Sequence, residues 1–134
     1  MRKERKMKGF TLVELLIVLL ILGILIGLAV PRYLAALDKS KETTFCANVR
    51  NVLSAVESWR MENATTAYPS DVVLTSTIIN SATYFSQPPI NPYTGTILKV
   101  TPTNVVTTTE KGQFGYTAVD STYEIKTVPD CGLK

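Results

Sequence analysis

Three hydrophobic patterns follow one another along the chain. The first is an unbroken apolar run, Leu15–Val30, interrupted only by Gly23 and Gly27. With the residues just before it, Phe10–Val30 makes 21 residues carrying a single charge, Glu14. As a helix this run is about 31 Å long at 1.5 Å per residue, close to the thickness of a bilayer core. The second pattern is periodic. Phe45, Val49, Val52, Val56 and Trp59 recur at spacings of four and three, with Cys46 and Leu53 beside them. That is one apolar face of an amphipathic helix, predicted over residues 32–62, with Asn48, Asn51, Ser54, Glu57 and Ser58 largely on the other side. Trp59 reads as a core anchor rather than a binding aromatic.

The third pattern is β. Ile97–Val100, Asn104–Thr109, Gln113–Val119 and Thr122–Val128 are rich in Val, Thr, Ile and Tyr, with turn residues at Glu110–Gly112 and Asp120-Ser121. They predict a small antiparallel meander over residues 96–128, one face of which covers the Phe45–Trp59 stripe. Between helix and meander, residues 63–95 read as a loop region. In it, Pro69 is a helix stop, Ser70 caps a short helix over 70–80, and the Gln87–Gly95 segment forms a rigid turn. Residues 129–134 are a tail. The expected fold is α+β, a long N-terminal helix packed on a small antiparallel sheet.

Two glycines and a proline make Gly23–Pro31 the weakest part of the long helix. Gly23 and Gly27 cost roughly 1 kcal/mol each relative to Ala. Pro31 lacks an N–H and disfavours the helical state of Val30. One reading is an ordinary packed membrane helix, with the small residues at a close-packing spacing. The other is a segment that loses helix when the subunit changes environment.

Charge sharpens the division. The formal net charge is +3, but of the 14 Lys and Arg, Arg2, Lys3, Arg5, Lys6 and Lys8 lie in the first nine residues, against Glu4. Beyond them nine basic residues face ten acidic ones. A basic leader ahead of an apolar run reads as a targeting signal held on the cytoplasmic side, and no basic cluster recurs that would suit nucleic acid. Gly9 followed by Phe10 is a candidate processing point, because glycine leaves a peptidase room to approach the backbone. A carboxylate inside a membrane-length segment costs roughly 2.5–3.5 kcal/mol at the bilayer centre and less near the interface. Glu14 therefore calls for a partner or a purpose.

Chemistry is sparse. The chain has no histidine, so it lacks a His-based triad and a His metal cluster. No glycine-rich phosphate loop is present, no cofactor is called for, and the chain does not read as an enzyme. Asp120, Glu124 and Asp130 are weak candidates for a calcium site, outweighed by their reading as solvated turn and strand charges. Asn63-Ala64-Thr65 matches a glycosylation sequon, a short pattern that arises readily by chance. Two cysteines, Cys46 and Cys131, suggest one disulfide in an exported domain, though the pairing itself stays open.

Gly9-Phe10-Thr11-Leu12-Val13-Glu14, after a short basic leader and before an apolar run, resembles the class III signal of type IV pilins and pseudopilins. Tyr68-Pro69 and Asn91-Pro92-Tyr93-Thr94-Gly95 ahead of a β-meander are similar to the globular part of many members. The resemblance implies a leader, residues 1–9, cut by a prepilin peptidase between Gly9 and Phe10, with N-methylation of Phe10. It implies a membrane and filament-core helix over residues 10–31 and a globular part over residues 32–134. The precursor would wait in the inner membrane and then join identical subunits in a helical filament through an inner-membrane assembly platform. Glu14 would recruit each subunit by pairing with the N-terminal amine of a neighbour, and Gly23, Gly27 and Pro31 match the place where such helices loosen. The product would be an extracellular pilus or a periplasmic pseudopilus. The runner-up to a pilus subunit is a pseudopilin of a type II secretion or competence system. Cys46 departs from the family, since many members place both cysteines late, around a C-terminal loop. A secreted monomeric binding module, with a signal cut near Ala29 or Ala35-Ala36, fits Glu14 and Pro31 poorly, and a single-span membrane enzyme lacks the parts.

Overall fold

The computed structural model describes residues 9–133. The basic leader residues Arg2 to Lys8, with Glu4 among them, and Lys134 lie outside this range. The chain divides into two compact units, Met1–Asp38 and Lys39–Lys134. The helix α1 (Leu12–Glu62) contributes residues to both, and Pro31 lies inside it.

In the first unit α1 is exposed along its whole apolar run, from Leu12 to Leu37. Among the described residues it is the helix with a stretch long and apolar enough to cross a membrane, and none of that stretch is buried.

The second unit has its own core. Phe45, Val49, Val52 and Val56 of α1 are buried. They cluster with Leu74, Ile78 and Ile79, with Leu98, and with Phe114 and Tyr116 of the sheet. Trp59 packs at the margin of this cluster, half-buried. The sheet has three strands, β1 (Val100–Thr101), β2 (Gln113–Val119) and β3 (Thr122–Val128), in that order. β2 and β3 form an antiparallel hairpin with Gln113 opposite Val128 and Val119 opposite Thr122. β1 pairs with β2 in parallel, Val100 opposite Phe114.

The α+β class is therefore as expected, but the sheet is mixed rather than an antiparallel meander, and it has three strands rather than four. Asn104–Thr109 forms no strand. Pro102 has no N–H to give a ladder, and a 3-10 turn, Thr103–Val105, follows it. This segment crosses the face of the sheet, where the Thr103 N–H donates to Thr117 Oγ1 at 3.0 Å. Gly115 makes room for it. A Cβ there would stand 2.5 Å from Val106 Cγ2 and 3.2 Å from Thr103 Cα. Because Pro102–Gly112 returns the chain across the sheet, β1 and β2 run the same way. Of Ile97–Val100, only Val100 joins a strand, while Ile97 forms an isolated bridge with Ile90.

The expected helix over residues 70–80 is also altered. Ser70 does cap, accepting from the Val73 N–H at 3.3 Å. After a single α-turn, α2 (Asp71–Val73), the chain widens into a π-helical turn, Leu74–Ile79. Thr75 and Ser76 donate their hydroxyls to the carbonyls of Asp71 and Val72, competing with the α ladder. The wider turn brings the adjacent Ile78 and Ile79 into the core together.

Cys46 and Cys131 form a disulfide with Cα atoms 5.4 Å apart, closing a separation of 85 residues. In the chain-entropy account that closure contributes roughly 4–5 kcal/mol. Arg50 reinforces it by donating to the Cys131 carbonyl at 3.2 Å. Cys131→Ser in the full chain is expected to lower the thermal midpoint of the second unit by at least about 10 °C. Calorimetry of both forms measures this, and an unchanged midpoint refutes the stabilising role.

Candidate processing and assembly segment

Gly9, Phe10 and Thr11 precede the helix in irregular backbone, and all three are exposed. Phe10 is 86% exposed, and nothing lies within 4 Å of a Cβ built on Gly9. Among the described residues, the Gly9–Phe10 bond is thus left open to solvent.

Thr11 is the helix cap. Its Oγ1 accepts from the Glu14 N–H at 3.2 Å, and its carbonyl accepts from the Leu15 N–H at 3.2 Å. Glu14 sits in the first turn, where the positive end of the helix dipole favours a carboxylate. Threonine followed three residues later by glutamate is a capping signature, and it stood in the sequence as Thr11-Leu12-Val13-Glu14. Read only as a membrane-segment acid, Glu14 gives no hint of this local role. Its carboxylate makes no hydrogen bond or ion pair among the described residues, so its capacity for a charged partner is unspent.

Gly23, Gly27 and Pro31 all lie within α1. Nothing lies within 4 Å of a Cβ added at either glycine. The three share a solvent-exposed stretch of unbroken helix.

In the second unit the acidic candidates stand apart. Asp120 lies in the β2–β3 turn with φ +51°, its carbonyl accepting from the Tyr68 N–H. Glu124 is on β3, where Thr103 Oγ1 donates to it at 3.5 Å. Asp130 follows the far end of β3 and accepts from the Gly132 N–H at 2.9 Å. Among the described residues no group of three His, Cys, Asp or Glu side chains is placed to hold a metal ion. Asn63 of the sequon is exposed and donates to the Trp59 carbonyl at 2.8 Å, closing the end of α1.

Two polar clusters hold this unit together. Asn91 is buried. It accepts from the Tyr93 N–H and donates to the Gly112 carbonyl at 2.8 Å, joining the rigid turn to the start of β2. Gly112 has φ +89°, and a Cβ there would meet Asn91 Oδ1 at 2.8 Å. At the end of α1, Glu57 takes the Arg60 guanidinium at 2.9 Å and the Tyr68 hydroxyl at 3.2 Å. Arg60 lies 3.9 Å over the Tyr68 ring, and Tyr68 packs edge-on to Tyr123. An Asn-Pro-Tyr-Thr-Gly turn signalled the first of these, whereas no spacing signalled the second.

Tyr116 is fully buried, and its hydroxyl has no hydrogen-bond partner among the described residues. Burial, with the neighbouring Tyr123, Tyr68 and Glu57, pushes its pKa well above the ordinary 10.0. The Tyr68 hydroxyl is raised as well, by burial first and then by Glu57.

The chain matches, over residues 5–30, the family described as the prokaryotic N-terminal methylation motif. It is similar to type II secretion system core protein G of Pseudomonas aeruginosa, 35% identical over 68 residues, which are 51% of this chain and 46% of that protein. It is also similar to the type IV narrow pilus major component PilA5 of Thermus thermophilus, 47% identical over 51 residues, 38% of this chain and 40% of that one. Core protein G of Dickeya chrysanthemi matches more of the chain, 72%, at 26% identity, covering 62% of its own length. The chain spans about half the length of the first of these curated relatives. No solved structure matches.

The unpartnered Tyr116 hydroxyl yields a test. Tyr116→Phe is expected to stabilise the fold by roughly 0.5–2 kcal/mol, since a buried polar group without a partner is removed. The wild type should also lose stability as pH rises above 10. The unfolded chain gives up its phenolic proton there while the folded chain holds it, so the contribution is complete below that pH and falls above it. Denaturant unfolding between pH 8 and 11 measures both, with a shallower fall in Tyr116→Phe. A destabilised variant overturns the reading of an unsatisfied hydroxyl.

Proposed function

We propose that this chain is a structural subunit of a type IV pilus or a type IV pilus-like filament, polymerising through the apolar part of α1. The observation that carries the reading is the methylation motif over residues 5–30 running into an apolar helix that is wholly exposed in the isolated chain. Such a surface is unfavourable in water and is covered in a bilayer or against copies of itself.

The exposed Gly9–Phe10 bond supports cleavage by a prepilin peptidase, followed by methylation of the new Phe10 amine. Glu14, capped but without a charged partner, is then the group available to the mature N-terminal amine of a neighbouring subunit. An ion pair in an apolar core costs desolvation on both sides, and breaking it leaves a bare charge. It therefore selects one axial register rather than supplying general adhesion. Gly23, Gly27 and Pro31 are where the helix gives way on moving from membrane to filament, because helix is weakest there. The precursor resides in the inner membrane before an assembly platform extracts it. The second reading is a pseudopilin, favoured by the similarity to type II secretion core protein G.

Shearing filaments from cells, imaging them, and measuring the mass of their main subunit distinguishes the readings. Long surface filaments of a chain beginning at methylated Phe10 support a pilus. The same mature chain confined to the membrane fraction supports a pseudopilus. A chain that begins after residue 30 overturns both. Glu14→Ala is expected to leave membrane insertion intact while filament yield falls at least about tenfold, the order of 1.4 kcal/mol or more. Normal yield would sink the pairing role.

A further inference from the structure

β3 is an edge strand, bonded to β2 on one side. The Val128 carbonyl accepts from the Gly112 N–H, and the Lys126 carbonyl lies beside Gly115, so both face β2. Main-chain groups alternate along an antiparallel pair. Thr122 and Glu124 therefore face β2 as well, while Tyr123, Ile125 and Thr127 turn their N–H and C=O groups to the open side. Among the described residues no hydrogen bond from outside the hairpin reaches those six groups.

We propose that the open edge of β3 is a self-pairing surface that takes a second copy of this chain, the two β3 strands running antiparallel about Ile125. The charges carry this assignment. Glu124 and Lys126 are both exposed and lie on one face of the strand, flanking Ile125. With Ile125 opposite its own copy, the outward groups of Tyr123 meet those of Thr127, and Ile125 meets Ile125. Glu124 of each strand then stands directly opposite Lys126 of the other, twice by symmetry, at the closer non-hydrogen-bonded positions. Sliding the strands by two residues brings Glu124 opposite Glu124 in one direction and Lys126 opposite Lys126 in the other. Charge on an edge strand ordinarily keeps copies apart. Here it repels in the two neighbouring registers and attracts in the central one. The contacts these side chains now make are light. Glu124 accepts a 3.5 Å bond from Thr103, and Lys126 donates to the Val106 carbonyl at 3.1 Å.

This pairing belongs to the second unit and does not depend on the filament reading. Where that reading holds, subunits of one polar filament all point the same way, so a two-fold contact joins antiparallel neighbouring filaments.

The test uses the full chain in detergent micelles as wild type, Glu124→Lys, and the double variant Glu124→Lys with Lys126→Glu. Sedimentation across a concentration range gives the dimer constant, and circular dichroism checks the fold. All three keep the same apolar helix, so association driven by the micelle is common to them. The single variant should dimerise roughly tenfold more weakly and the double variant should recover, because two opposite-charge pairs become like-charge pairs and then opposite again. In the wild type the amides of Tyr123, Ile125 and Thr127 should exchange more slowly as concentration rises, while those of Glu124 and Lys126 stay as they are. A monomeric wild type, a double variant as weak as the single one, or equal constants in all three overturns the proposal. So does amide exchange independent of concentration. None of these outcomes bears on filament assembly through α1.

Discussion

An apolar helix surface that the other described residues do not cover is the constraint around which the first unit is built. From Leu12 to Leu37 large side chains of α1 remain open to water. The apolar residues of the second unit are spent on a separate cluster that begins at Phe45. Exposed apolar area on this scale is unfavourable in water, and the other described residues supply no cover for it. The capped start of the helix and its single acid are understandable on that footing. Thr11 meets the Glu14 N–H, and the Glu14 carboxylate makes no bond among the described residues.

The second unit answers a different requirement, which is to close a small core around one helical stripe. Three short strands alone are a thin cover. Parts with no place in a regular sheet complete it. Thr103–Val106 lies over β2 because Gly115 presents no side chain, and a π-turn lets Ile78 and Ile79 enter the core side by side. Asn91 then binds the turn before β1 to the start of β2, and Asn48 of α1 donates to the Ile90 carbonyl at 2.7 Å. The disulfide fastens the tail to α1 at Cys46. Irregular backbone here is part of the packing, and its polar groups are bonded within turns, as the Leu98 N–H to the Pro89 carbonyl, and to side chains, as the Thr103 N–H to Thr117.

Polar contacts at the end of α1 follow the same logic. Arg60, Glu57 and Tyr68 fix the departure of the chain from the helix, and Tyr123 joins them from β3. Tyr84 donates to Glu62 at the last turn, which raises its own phenolic pKa through that bond. Tyr116, beside this cluster, keeps its hydroxyl without a partner as the apolar ring fills the core. Packing volume outweighed hydrogen-bond satisfaction at that position.

Local patterns were sufficient for the long helix, though not for residues 70–80, where an expected helix became one α-turn and a π-turn. The apolar run, the spacing of Phe45, Val49, Val52 and Val56, and the Thr-x-x-Glu start are all written within a few residues of one another, and helical structure depends on neighbours at that range. The hairpin of β2 and β3 is legible for the same reason, as two β-rich runs with a short turn between them. The methylation motif over residues 5–30 was equally readable, because its signal is a compact one. What only the tertiary structure decided were the relations between distant segments. These are the parallel pairing of β1, the crossing of Thr103–Val106 above Gly115, the lock between Asn91 and Gly112, and the partnership of Cys46 with Cys131. Strand propensity favoured Asn104–Thr109 as a strand, but propensity measures fit to a pleated surface and not which surface is free. Each of these outcomes depended on where a glycine left space or a buried polar group found its bond, and that is settled by packing across the core rather than by order along the chain.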